Sequence, residues 1–165
     1  PIISPIIKGT PFNDQDDEGV LIVKSASFVS LLLSTEAVKA VGLPFKEFFL
    51  WGEDTEYTDR MTRNGYLGFY VKDSVVYHQT PSNYHSNIFS AHPQEAWKYR
   101  LGIRNDLYLK RREGILSLFA GVFYNFIYIN FEIMVKRNDN RVRFIFINTL
   151  ATLSALLFNP PVVRV

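Results

Sequence analysis

The residues best suited to catalysis in this sequence are the three carboxylates of the run Glu53-Asp54-Thr55-Glu56. A carboxylate aimed out of a helix start into a pocket can take a proton from a hydroxyl nucleophile. Phe48, Phe49 and Trp51 precede the run and would offer a stacking surface for a sugar ring. An equally good interpretation from spacing alone is a helix whose first turn is acidic, because acids suit the positive end of the helix dipole. The spacing leaves both interpretations open.

The histidines are the second set of residues that could take part in catalysis or bind a metal. His78 directly follows Ser74-Val75-Val76-Tyr77, which is apolar enough to predict a strand. Taken alone, His78 is most simply a histidine at a strand end that bonds to backbone. His85 and His92 lie in a segment rich in small and polar residues, which predicts a loop. A zinc site built from three histidines without any cysteine is not favoured.

Composition narrows the class of protein. The chain has 165 residues, of which 47% are hydrophobic and 21% charged, so it is long and apolar enough to bury a core. It contains no cysteine, which excludes disulfides and thiolate metal sites and fits a reducing cytoplasm. A net charge of +2 is too small to argue for nucleic acid as a partner.

The elements that must position these groups mix strands and helices. Residues 1–19 are predicted to be irregular, and 20–33 to hold one or two short strands. A helix is predicted over 35–41, ended by Gly42, and a second from Glu53 or Asp54 to Asn64-Gly65. Further elements follow from the same patterns: strands at 67–71 and 74–77, a loop at 81–93, and helices at 94–112, 115–136 and 142–157. We therefore expect an α/β (α+β) fold followed by a C-terminal helical region.

The helix predicted over 94–112 mixes aromatic and basic residues. Arg100, Arg104 and Tyr108 share one face at four-residue spacing. The simplest interpretation is an amphipathic helix with a solvated basic side, although a phosphate contact from Arg104 is chemically reasonable. The run Lys110-Arg111-Arg112 could instead meet anionic lipid headgroups.

The two C-terminal helices are unusually apolar, and three hypotheses remain open for them. They could pack as a closed hairpin, present a surface that binds a membrane or a second copy, or span a bilayer as a pair. Asn125, Asn130 and Glu132 interrupt the first of these helices, and each would be costly in hydrocarbon.

The sequence resembles glycosyltransferase family 2, closest to its rhamnosyltransferase and galactofuranosyltransferase branch. The resemblance is carried by V-G-L-P-F-K-E-F-F-L-W-G-E-D-T-E-Y-T-D-R at residues 41–60, followed by Gly65-Tyr66. It implies that Asp54 is the general base of an inverting sugar transfer. It also implies that Glu53 helps to shape the acceptor site, where Trp51 and Glu56 would contact the acceptor.

The resemblance extends beyond the acidic run. A V-x-H after the strand implies that His78 is a ligand to a divalent metal, Mg²⁺ or Mn²⁺, which neutralises the departing diphosphate. Tyr99, Arg104 and Asn105 fit a Y-x-x-x-x-R-N segment, and Arg104 is predicted to bind the diphosphate. The implied fold is the C-terminal half of a GT-A-like nucleotide-diphospho-sugar transferase.

We therefore predict three parts: an irregular segment at 1–19, the acceptor side of a glycosyltransferase domain at 20–112, and a helical hairpin at 113–165. The expected partners are a nucleotide-diphosphate sugar, a glycan or lipid-linked acceptor, and a membrane surface or a second copy at the C-terminal helices. The expected location is the cytoplasm, at the inner face of a bacterial membrane, in cell-wall or surface polysaccharide synthesis.

The donor-binding half of such an enzyme is not recognisable here. Asp14-Gln15-Asp16 has the letters of its Asp-x-Asp motif, but no apolar strand precedes it and it lies too close to Glu53. We therefore expect these residues to show no transferase activity alone. The alternative to an enzyme is a non-catalytic glycan- or membrane-binding or oligomerisation module derived from the same fold.

Overall fold

A computed structural model describes residues 2–4, 14–15, 21–71, 74–77 and 87–164. The chain forms two compact units. The first comprises Pro1–Lys46, Glu53–Ser82 and Pro161–Val165, and the second comprises Glu47–Gly52 and Asn83–Pro160. The fold is mixed α/β and mostly helical, which agrees with the coarse fold class expected from sequence.

The first unit contains a small sheet of four short strands, β1 (Ile2–Ser4), β2 (Asp14–Gln15), β3 (Leu21–Val23) and β4 (Gly68–Tyr70). Their order is β1-β4-β3-β2, with β1 parallel to β4 and the other pairs antiparallel. At Gly68, a Cβ atom would lie 2.6 Å from the Val23 carbonyl oxygen, so the close approach of β3 and β4 requires glycine there.

The sequence-based prediction for the strands needs two corrections. β1 and β2 lie within the segment predicted to be irregular: β1 obtains its hydrogen bonds from β4, which is distant in sequence, whereas β2 is a two-residue strand that pairs with the nearby β3. Conversely, residues 74–77 form no strand and are exposed, so the predicted second strand there is wrong. An apolar alternation predicts a strand only where a sheet edge is within reach.

Two helices complete the described part of the first unit, α1 (Thr35–Val41) and α2 (Glu53–Arg63). Ala37 and Val41 of α1 pack with Tyr57 and Met61 of α2 in one buried cluster. Gly42 ends α1 with φ 80°, a left-handed conformation that favours glycine. Both helices were predicted, and these predictions are confirmed.

The described part of the second unit is mostly helical. A 3₁₀ turn at Pro93–Glu95 leads into α3 (Ala96–Glu113), and α4 (Ile115–Phe123), a π-helical segment (Tyr124–Ile129) and α5 (Asn130–Lys136) then form one continuous helix. α6 (Arg141–Leu157) returns along them. The predicted helices and the interruption at Gly114 are confirmed, whereas the π-helical segment was not foreseen.

α3 packs against α5 and α6 near its start and against α4 and α6 near its end. Ala96 and Tyr99 lie in a buried cluster with Ile133 and Phe144, and Leu107 lies in another with Leu118 and Ala155. The structure therefore groups α3 with the C-terminal helices, which differs from the predicted boundary at residues 112 and 113. The reason is that the apolar face of α3 has its complement on α4, α5 and α6.

A buried arginine fixes the turn before α6. The Arg137 side chain is almost fully buried and donates to the carbonyl oxygens of Ile88 and Ala91, the latter at 2.8 Å. It also pairs with Asp139 at 2.8 Å, and its guanidinium lies over the Phe144 ring. One side chain thus connects residues 88–91 to the turn and to the core of the helices.

Candidate functional site

The two predicted catalytic carboxylates stand at the start of α2. Asp54 is half-buried, and its Oδ1 accepts a hydrogen bond from the Thr55 backbone N–H at 2.7 Å. Glu53 is half-buried as well, and its Oε2 is shielded from solvent without a hydrogen-bond partner among the described residues. Buried carboxylate oxygens normally have a partner, so this oxygen marks a place where a ligand group or water would be favoured.

The other carboxylates of α2 are neutralised by cations. Glu56 is 3% exposed and pairs with Arg60 at 3.1 Å, while Asp59 pairs with Arg63 at 2.6 Å. Within the described part of the chain, Glu53 and Asp54 form no ion pair. The predicted contact of Glu56 with an acceptor stays a prediction, and its burial in an ion pair favours a role in holding α2.

Two side chains of α2 hold the turn that follows α1. The Tyr57 hydroxyl donates to the Gly42 carbonyl oxygen at 2.9 Å. Arg60 donates to the carbonyl oxygens of Val41, at 2.7 Å, and Leu43, at 3.0 Å. The first residues of the run that resembles glycosyltransferase family 2 are therefore hydrogen-bonded to Tyr57 and Arg60, which lie later in the same run. Sequence reasoning gave Tyr57 and Arg60 no role, because the carbonyls that they bind are invisible in residue types.

The loop that precedes α2 has an unusual backbone. Phe49, Trp51 and Gly52 have φ values of 58°, 62° and 89°, and such values are uncommon for side chains as bulky as the first two. Backbone of this kind persists only where its surroundings over-determine it, and it is concentrated at binding and active sites. The loop belongs to the second unit, where α3 supports it.

Asn105 of α3 supplies that support. It is fully buried, and its Nδ2 donates to the carbonyl oxygens of Phe48 at 3.0 Å, Leu50 at 3.0 Å and Trp51 at 2.9 Å. One amide therefore shares its two protons among three carbonyls of the loop. Sequence analysis placed Asn105 in the family-like segment but assigned it no role. The signal that the sequence offered for this role was a polar residue on the apolar side of the predicted helix.

Arg104 contributes to the same support. Its guanidinium donates to the Glu47 carbonyl oxygen and to Asn105 Oδ1, and it lies 3.8 Å from the centre of the Phe158 ring. Burial, together with the nearby positive charge of Arg100, lowers the pKa of Arg104 from its usual value. The predicted contact with a diphosphate stays a prediction, since the guanidinium already has partners within its own unit.

The aromatic residues of the loop have different surroundings. Trp51 is half-buried, with its ring edge-on to Tyr99 at 5.2 Å, and Phe49 is 72% exposed. Phe48, by contrast, is fully buried and packs edge-on against Tyr108. The expectation that Phe48 offers a stacking surface is therefore wrong, because its ring fills the core. Phe49 and Trp51 remain exposed or half-buried, so the predicted stacking of a sugar ring on them stays a prediction.

The histidines do not assemble within the described residues. His78, the predicted metal ligand, and His85 lie outside them. His92 is described, and its Nδ1 accepts from the Gln94 backbone N–H at 3.3 Å, so it begins the 3₁₀ turn. Over the described ranges, no group of three or more His, Asp or Glu side chains is placed to hold a metal ion. The divalent metal remains a prediction that depends on His78.

Comparison with known proteins adds no relative. No protein-family model, curated protein or solved structure matches this chain.

Proposed function

We propose that this chain forms the acceptor side of an inverting glycosyltransferase, which moves a sugar from a nucleotide-diphosphate donor to a glycan or lipid-linked acceptor. We also propose that its mixed α/β arrangement is the C-terminal half of a GT-A-like fold. The observation that carries the proposal is the contrast along α2. Glu56 and Asp59 are neutralised by arginines, whereas Glu53 and Asp54 stand at the helix start without a cation among the described residues.

In the proposed reaction, Asp54 takes the proton of the acceptor hydroxyl. The acceptor oxygen then attacks the anomeric carbon from the face opposite the diphosphate. The bond from that carbon to the diphosphate oxygen breaks, and the nucleotide diphosphate leaves with the electron pair, so the configuration inverts. A positioned general base contributes roughly 10²–10⁴-fold to such a step. Glu53 would accept a hydrogen bond from a second acceptor hydroxyl through its unpartnered oxygen.

The acceptor ring would stack on the aromatic residues of the loop. Phe49 is exposed and Trp51 half-buried, and the positive-φ backbone held by Asn105 fixes where their side chains begin. The proposed divalent metal would compensate the charge of the leaving diphosphate, and His78 is the residue proposed to hold it.

The test compares Asp54→Asn with Glu53→Gln. Binding is measured by titrating cell-wall and surface oligosaccharides into the chain while Trp fluorescence is followed. Transfer is measured with UDP- and dTDP-sugars in a preparation of the protein that shows transferase activity. We expect Asp54→Asn to reduce transfer at least 10²-fold while oligosaccharide and nucleotide binding are retained. Glu53→Gln should weaken oligosaccharide binding. Normal transfer by Asp54→Asn would refute the role of Asp54 as base.

The competing proposal is a non-catalytic module that binds glycan or membrane, with the acids serving only the helix start. It is favoured by the fit of acidic residues to the first turn of α2. The two proposals differ in one outcome. Oligosaccharide binding that is unchanged in the double variant Glu53→Gln, Asp54→Asn would support the module and count against the enzyme.

A further inference from the structure

The C-terminal helices present a broad apolar face to solvent. On the continuous helix Ile115–Lys136, the exposed side chains include Leu116 at 81%, Phe119, Phe123, Ile127 and Phe131. Exposed apolar residues of α6 add to them: Val142, Phe146, Leu153, Leu156 and Leu157. Such a contiguous apolar surface marks an interaction site on a folded protein.

The interior of the same helices is partly polar. Asn148 is fully buried and donates to the Asn125 carbonyl oxygen and to Asn130 Oδ1, both at 2.8 Å. Asn130 in turn donates to Thr149 Oγ1 at 3.1 Å. These asparagines interrupt the apolar sequence, yet they bond to one another between the helices.

Glu132 is the only charged residue between Ile115 and Val135. Its side chain is largely buried and pairs with Lys136, so this charge is withdrawn from the surface as well. These helices therefore bury polar side chains alongside apolar ones such as Ile133 and Phe144, while many of their large apolar side chains are exposed. Exposed apolar side chains with polar groups turned inward are typical of helices in contact with lipid.

The charged residues of α3 distinguish between C-terminal helices that span a bilayer and C-terminal helices that lie on it. Ile115–Lys136 is apolar and long enough to cross a membrane by length and composition. However, α3 packs alongside these helices at both of its ends, and it carries the exposed charges of Arg100 and Asp106 along its length. A spanning pair would draw those charges into hydrocarbon, where each is costly. A pair lying flat keeps α3 on the water side.

Basic residues frame the apolar face at both ends. From Lys110 to Arg143 there are seven basic and three acidic residues, and none of the basic ones lies between Ile115 and Val135. Arg141 and Arg143 are exposed at the turn, and Lys110-Arg111-Arg112 stand at the opposite end. Two copies meeting face to face would bring these basic ends together, whereas anionic headgroups complement them.

We propose that α4, α5 and α6 lie flat in the headgroup and acyl boundary of an anionic membrane, with the apolar face buried and the basic ends at the headgroups. This placement does not depend on sugar transfer. Membrane binding can therefore fail while transfer stands, and the reverse holds equally.

The first test is flotation of the 165-residue chain with vesicles of phosphatidylcholine alone or with phosphatidylglycerol added. We expect flotation that increases with phosphatidylglycerol and falls with salt. The double variant Leu116→Asp, Phe131→Asp should lose at least tenfold in vesicle binding. Leu32→Asp is the matched control, since Leu32 is similarly exposed but belongs to the first unit. Arg141→Glu, Arg143→Glu should remove the phosphatidylglycerol dependence.

The second test uses the absence of cysteine, which makes any introduced thiol unique. Asn138→Cys at the turn and Glu113→Cys at the other end are exposed positions. In protein bound to sealed vesicles, both should react with a membrane-impermeant maleimide as fast as Leu32→Cys. Protection of Asn138→Cys alone would show spanning and overturn the proposal. Absence of flotation, or a discrete dimer that Leu116→Asp, Phe131→Asp dissociates without any vesicle binding, would overturn it in favour of self-association.

Discussion

Replacing Asn105 with alanine should release the loop that precedes Glu53 and Asp54, the two carboxylates proposed to act in catalysis. The change removes both amide protons that bind the carbonyl oxygens of Phe48, Leu50 and Trp51, and the acceptor that orients Arg104. Each proton lost costs about 1–2 kcal/mol, which is below the upper end of the range of about 1–3 kcal/mol for fully buried carbonyls, because the contacts to Leu50 and Trp51 are only partly buried. Two protons are lost, so we expect the free energy of unfolding of the second unit to fall by about 2–4 kcal/mol.

The assay is urea unfolding followed by Trp fluorescence. Both tryptophans, Trp51 and Trp97, belong to the second unit, and Trp97→Phe leaves Trp51 in the loop as the sole reporter. With a urea dependence of about 2 kcal/mol/M, within the usual range for small proteins, the expected loss lowers the midpoint by about 1–2 M. Asp106→Ala is the matched control, because Asp106 is the next residue of α3 and is exposed. It should shift the midpoint by no more than about 0.3 M.

A second variant separates the loss of donors from the loss of packing. Asn105→Asp keeps the volume and an oxygen for Arg104, but it turns carboxylate oxygens toward the loop carbonyls in place of the amide protons. It should therefore destabilise the second unit at least as much as Asn105→Ala. If Asn105→Ala leaves the midpoint within about 0.2 M of the parent, the hydrogen bonds do not hold the loop, and the argument for a rigid acceptor platform is refuted.

Three further predictions follow from other residues. Arg137→Met should cost about 3–5 kcal/mol in urea unfolding, because buried carbonyls lose their donors, and equal stability would show that they find other partners. Gly102→Ala should improve helix propensity by about 1 kcal/mol, but the added methyl group would overlap the Trp51 ring. We therefore expect a net loss of stability and altered Trp51 fluorescence emission. Unchanged emission would contradict the packing of Trp51 on Gly102. Burial raises the pKa of the Tyr57 phenol above its usual 10.0, so folded and unfolded states are both protonated below about pH 10. Above about pH 10 the unfolded state ionises first, so the free energy of unfolding falls as pH rises. The variant Tyr57→Phe should lose less stability at alkaline pH than the parent protein. Identical profiles of stability against pH for the variant and the parent would refute this prediction.

Much of the local structure could be predicted from the sequence. Helix periodicity, Gly42, Gly65 and Gly114 gave α1, α2 and α3 to within a residue or two, because caps and breakers act over a few neighbours. The strands were predicted less well. β1 depends on β4, a partner far along the chain, β2 is only two residues long, and the apolar residues 74–77 form no strand in the structure. Short strands are decided by such pairing rather than by their own residues.

The sequence by itself determined which residue types could do chemistry and their order: the acidic run, the aromatic residues before it and the basic helix after it. The pairs Glu56–Arg60 and Asp59–Arg63 lie four residues apart on α2, so their spacing was already present in the sequence, and only the tertiary structure shows that the first pair is buried. It also turned Phe48 into core, made Asn105 the support of a strained loop, and faced the asparagines of the C-terminal helices inward. The physical reason is that burial, hydrogen bonds between elements and backbone strain depend on groups brought together across tens of residues, whereas propensity and periodicity depend on neighbours within a few.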